Sequence, residues 1–212
     1  ISDGRLYKAN DMVKADCGGC EGCSRCCHGM GKSIILDPYD VYRMTTGMGK
    51  SMQELLAASV EFNVVDGVIL PNLKMQGAEE ACAYLDEEGR CSIHPYRPGI
   101  CRLFPLGRYY ENGGFSYFLQ TGECAKENRS KVKVSKWIDT PELTRNQQFT
   151  LQWHDLLHAM EERLTGEDEG KQREENLLLL RLFYLLPYEG TIDFYTQFTE
   201  RMEHWNGQNG QI

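Results

Sequence analysis

Five of the chain's nine cysteines fall within eleven residues, CGGCEGCSRCC, as Cys17, Cys20, Cys23, Cys26 and Cys27. No strand or helix face can bury five thiols at that spacing among glycines, so the segment must be a loop with a purpose of its own. A C-x2-C step lets the chain turn back until two thiolates reach one ion, and glycine supplies the left-handed backbone such a knuckle needs. Paired disulfides are the competing use of cysteine. The nine thiols are an odd number, and about 4% of residues lies below the 8–10% of small disulfide scaffolds. Clustered thiols in a reducing compartment favour metal or redox chemistry.

The other four cysteines are Cys82, Cys91, Cys101 and Cys124. One tetrahedral ion takes four thiolates, so nine cysteines suffice for two sites with one thiol over. If Cys26 and Cys27 are extended, their side chains point to opposite sides and one can serve each site. Residues 82–85 and 90–93 read as a hairpin around Asp86-Glu87-Glu88-Gly89, with Leu85 opposite Arg90, which puts Cys82 and Cys91 on one face. His94-Pro95 and Arg97-Pro98 predict a turn-rich run that returns Cys101 to the same place. His94 is a further candidate ligand. Arg25, Arg90, Arg97 and Arg102 stand close in sequence to these thiols and would favour their thiolate state.

The run C20-x2-C23-x2-C26-C27, then Cys82, Cys91 in GRCSIHPYRPGICRLFP, Cys101 with Arg102, Phe104 and Pro105, and the late Cys124 resembles the YkgJ-type cysteine cluster family, the CxxCxxCC zinc- or iron-chelating domain. The resemblance covers about residues 17–125. It implies metal binding by Cys20, Cys23, Cys26, Cys27, Cys82, Cys91, Cys101 and Cys124. Cys17 precedes the family's first cysteine and is the candidate for the surplus ninth thiol. The flagellin lysine methylases carry a similar cluster, but no glycine-rich nucleotide loop follows a strand here, so methylase activity does not carry over.

Thiolate-rich sites suit zinc and Fe–S clusters alike. The bacterial ferredoxin run ends C-x3-C-P, whereas His28 follows Cys27. The leading expectation is therefore a protein that holds zinc or iron (mononuclear, multinuclear or as an Fe–S cluster), with metal ions as its partners. An iron-dependent redox or oxidative enzyme and an Fe–S electron carrier are the rivals, and a protein partner is left open.

The net charge of −8 argues against a general phosphate-binding surface, hence against nucleic acid. The longest apolar stretch, Leu177 to Leu186, is interrupted by Arg181 and is far short of the about 20 residues that span a bilayer. No membrane role is expected, and without a basic-then-apolar start the sequence predicts a cytoplasmic protein.

The expected fold class is α+β: a cysteine domain of small antiparallel hairpins and short helices over 1–135, and a helical region over 136–212 packed on it. Asp37-Pro38-Tyr39-Asp40 and Ser51-Met52-Gln53-Glu54 read as helix starts, the second helix reaching Val60. Asp66-Gly67 reads as a hairpin turn between 62–65 and 68–70, and Glu111 to Gly114 as another between 106–110 and 115–119. The cationic stretch Lys126 to Lys136 reads as a linker. Asp139-Thr140-Pro141-Glu142 then opens a helix bearing Phe149, Trp153, Leu156 and Met160, ended by Gly166. Leu177 to Leu186 reads as a central, all-round buried helix and Phe194 to Trp205 as a last amphipathic one. His154 and His158 stand one turn apart in an HExxH-like frame, but Asp155 is one methylene too short for the usual base and no third ligand follows clearly. They read as helix-surface histidines.

Overall fold

The computed structural model describes residues 2–18, 23–126 and 128–209. With 44% helix, 22% strand and every strand in an antiparallel pair, the fold class is α+β, as the sequence predicts. The chain forms two compact units, residues 1–34 with 75–151, and residues 35–74 with 152–212. They interleave along the chain, whereas a division at 135/136 follows sequence order.

The first unit is built on β1 (Met12–Asp16), β4 (Met75–Gln76), β5 (Ala81–Cys82), β6 (Leu106–Glu111), β7 (Gly114–Leu119) and β8 (Ser130–Lys133), with short helices α3 (Gly99–Leu103) and α4 (Val134–Ile138). The β6–β7 hairpin turns on Asn112 and Gly113, at φ 51° and 68°, the paired left-handed conformations that a two-residue turn requires. Residues 130–136, expected to be part of a linker, are not one. Ser130–Lys133 pairs with β1, and Val134 and Ile138 are buried with Val13, Ala15, Leu103, Leu106, Tyr117 and Leu119. The alternation Lys131-Val132-Lys133-Val134 places cations outward and valines inward, and the cations alone dominate a composition reading. Asp139, expected to open the next helix, is instead the left-handed C-cap of α4 at φ 47°.

In the second unit α1 (Pro38–Met48) and α2 (Met52–Ala58) start at capping boxes on Asp37 and Ser51. The α2 helix stops short of Val60, which begins β2 (Val60–Val65) and pairs with Leu73 of β3 (Val68–Leu73). Asn176 of α6 (Glu169–Leu180) accepts from Ile69 N at 2.6 Å and donates to Gly67 O at 3.2 Å, which fixes that hairpin to the helix. The α5 helix (Leu143–Leu164) contributes residues 152–164 to this unit, where Trp153 meets Phe183 edge-on at 5.1 Å. Phe194, Phe198 and Trp205 of α7 (Phe194–Asn209) are buried one or two turns apart. The run Leu177 to Leu186 is not buried all round. It leaves α6 for a π-helical turn over Arg181–Leu185, burying Leu179, Phe183 and Tyr184 while Leu177 and Leu186 are about half exposed. No described helix is long and apolar enough to cross a membrane.

Candidate metal centre

The thiols are delivered by backbone turns of the first unit. Cys17 leaves β1 directly after Asp16, whose carboxylate accepts from Gly18 N at 3.0 Å and from Ser130 Oγ at 3.0 Å. Cys20 lies outside the described residues. Arg25–Cys27 forms a single 3-10 turn closed by Cys27 N donating to Ser24 O at 2.8 Å. The vicinal pair is therefore not extended, and the alternation of an extended backbone does not apply to it. His28 bridges Ala81, and Gly29 N donates to Glu80 O at 3.0 Å. These two contacts dock the first cysteine loop beside β5 and its Cys82.

The 82–93 segment makes a one-bridge turn rather than a hairpin ladder. Leu85 is opposite Cys91, one residue off the expected register, because Asp86 Oδ1 accepts from both Glu88 N and Arg90 N. That side-chain turn consumes the residues the ladder needed. Cys82 instead pairs with Met75 in the short β4–β5 hairpin. His94–Tyr96 forms another 3-10 turn and leads into α3, which carries Cys101. Trp137 of α4 donates its indole N–H to Leu103 O and Phe104 O at 3.3 and 3.2 Å, tying α3 to the core of the unit.

The eight described cysteines are all half-buried, and they fall into two neighbourhoods. In one, Cys27 is within the electrostatic reach of Cys26, Cys82 and Cys101, and Cys91 of Cys82. In the other, Cys17, Cys23, Cys26 and Cys124 line one cavity of about 20 Å³, walled by Phe104 and Trp137. A space of that size holds a single water or ion. Cys26 belongs to both groups. Among the described residues, no three His, Cys, Asp or Glu side chains already stand at metal-holding spacing, so closing on an ion requires the thiols to draw together. Coupling of that kind between metal binding and folding is ordinary for thiolate sites.

Charge is unevenly shared. The Cys27 thiol donates to Cys26 and, with a backbone hydrogen bond, Arg97 and His28 assisting, brings Cys26 down to about 6. Holding its proton in that hydrogen bond to Cys26, together with burial, drives Cys27 strongly upward. The pair thus carries one thiolate and one thiol at neutral pH. Burial raises Cys82 and Cys91, and Arg97 partly offsets this at Cys91. A divalent ion bound among these thiols would add compensating positive charge.

His94 is turned to another task. Its Nε2 faces Arg97 Nη1 at 2.8 Å, and burial followed by Arg97 and Arg90 lowers its pKa, so the imidazole is a neutral acceptor that positions Arg97. Arg102 is buried and donates to Asp139 O at 3.3 Å. The charge of Arg97 lowers both the Cys26 and the Cys91 thiol, whereas adjacency in sequence points to Arg102, directly after Cys101. The docking role of His28 had no signal in the sequence. His154 and His158 lie on α5 with Nδ1 atoms beside Asp155 and Glu162, in the part of that helix assigned to the second unit.

A family model, CxxCxxCC, described as "Putative zinc- or iron-chelating domain", matches residues 19–135. The chain belongs to that family. The match ends inside α4 and covers all the described thiols except Cys17. No curated protein and no solved structure matches the chain.

Proposed function

We propose that the first unit chelates zinc or iron in two thiolate sites. One set is Cys27, Cys82, Cys91 and Cys101; the other is Cys20, Cys23, Cys26 and Cys124, with Cys17 as the adjacent surplus thiol. The observation that supports this reading is the gathering of half-buried cysteines from four separate chain segments into two neighbourhoods. Burying thiols costs little, but burying several thiolates together without a cation is unfavourable. Soft sulfur donors select zinc, iron or Fe–S clusters over hard cations. The metal, when bound, supplies structural cross-linking in a closed thiolate site, or electron transfer if it is a cluster. Cys26, placed in both neighbourhoods, couples the two.

The test is anaerobic purification followed by elemental analysis and a visible spectrum. About two tightly held ions per chain is the expected result for two four-thiolate sites. A colourless zinc protein and a coloured iron–thiolate or Fe–S protein are distinguished by the same spectrum. A folded chain that retains neither metal after gentle purification and reconstitution overturns the reading.

A further inference from the structure

The second unit contains a cavity of about 330 Å³ to which no thiol contributes. Its volume lies at the small end of the range for small-molecule pockets. One side is the corner between α1 and α2, with Thr45, Lys50 and Gln53; the other is the π-helical turn and its exit, with Leu185, Leu186 and Tyr188. A π-helical distortion is uncommon and frequently marks a functional site.

The wall is held open by specific bonds. Arg201 of α7 donates to Leu182 O and Leu186 O through Nη1, at 2.7 and 3.1 Å, and to Pro187 O through Nη2 at 2.8 Å. Its guanidinium also lies 3.5 Å from the centroid of the Tyr188 ring. Tyr188 in turn donates to Phe183 O at 2.9 Å, and Tyr184 to Leu36 O at 3.0 Å. Gln197 clamps Glu189 and Ile192. With these groups satisfied, the π-helical wall cannot collapse inward without losing several buried hydrogen bonds, each costly to leave unmade.

On the opposite side the hydroxyls of Thr45 and Thr46 donate back to their own helix, to Val41 O and Tyr42 O. Their oxygens therefore offer acceptor capacity only. Lys50 is the single charged residue of the lining, and it is exposed to solvent at the cavity mouth. The cavity is two-faced: Leu185, Leu186 and Pro187 on the π-helical side stand across from polar Thr45, Thr46, Ser51 and Gln53 and the single cation Lys50 on the α1–α2 side. We propose that this cavity binds a small carboxylic acid with an apolar body, its carboxylate at Lys50 and its hydrocarbon against Leu185, Leu186 and Tyr188.

The probes are octanoate, octanol and octyltrimethylammonium, titrated by NMR into the whole metal-loaded chain. Octanoate is expected to saturate at one per chain, shifting the amides of residues 45–53 and 184–190. Lys50→Ala should weaken octanoate about three- to tenfold, the worth of one partly exposed ion pair, and leave octanol unchanged. Gln53→Trp, at an exposed helix position in the mouth, should weaken both without touching the core. Absence of saturable binding, shifts confined to other residues, or equal affinity for octanoate, octanol and the cation would each overturn the proposal.

Discussion

At the scale of single residues, the centre turns on which thiols lose their protons and which are dispensable. Cys26 is held near 6 chiefly by the hydrogen bond from Cys27, well below an ordinary thiol. Its thiolate therefore persists as the pH falls to about 6 and is lost below that value, whereas burial keeps Cys82 and Cys91 protonated. Iodoacetamide reacts with thiolate, so in the metal-free chain at pH 7 Cys26 should be alkylated before Cys82 and Cys91, as read by peptide mass spectrometry. Cys27→Ala, which removes the thiol donor, should move the pH at which Cys26 becomes reactive upward. For metal retention, Cys124→Ser and Cys101→Ser should each lower the bound metal by about one ion per chain, while Cys17→Ser leaves the ratio unchanged. An equal loss in Cys17→Ser would make Cys17 a ligand.

At the scale of elements, two glycines show different reasons for being glycine. Gly67 follows Asp66 in the β2–β3 turn at φ 84°, and an added Cβ there would touch nothing. Gly67→Ala should therefore cost about 1 kcal/mol through backbone strain alone. Gly107 of β6 sits opposite Phe118, and an added Cβ would run into that aromatic ring. Gly107→Ala should cost about 1–3 kcal/mol as an overpacking effect. Urea unfolding of the two variants checks the order, and a cost for Gly67→Ala equal to or above that of Gly107→Ala would contradict it. The capping boxes at Asp37 and Ser51 were legible because their partners are three residues apart. The β1–β8 pair was not, since Met12 and Lys133 meet only through tertiary folding.

At the scale of the whole molecule, the two units differ in what holds them. The second is an aromatic and aliphatic core of Trp153, Phe183, Tyr184, Phe198 and Trp205. The first has a smaller apolar cluster under β1, β6, β7 and α4, but its cysteine turns carry little apolar surface, and binding energy there becomes folding energy when metal is bound. Metal removal should therefore raise amide hydrogen exchange in residues 23–34 and 77–101 first. The second unit should keep its protection at the same chelator concentration. Loss of protection in both units from the first addition would show that the metal supports the entire chain.

The sequence alone determined the chemistry: thiol count, C-x2-C spacing and family pattern are one-dimensional facts, and ligand type follows from side-chain identity. It also determined the elements whose signals are local, namely capped helices and the two tight hairpins. Tertiary structure alone decided that Lys126 to Lys136 contributes a strand and a helix, that Cys82 pairs with Met75 while Cys91 faces Leu85, and that the charge of Arg97 acts on both Cys26 and Cys91. Each of these rests on contacts between segments distant in the chain or on competition for backbone hydrogen bonds, and neither leaves a periodic trace in the sequence.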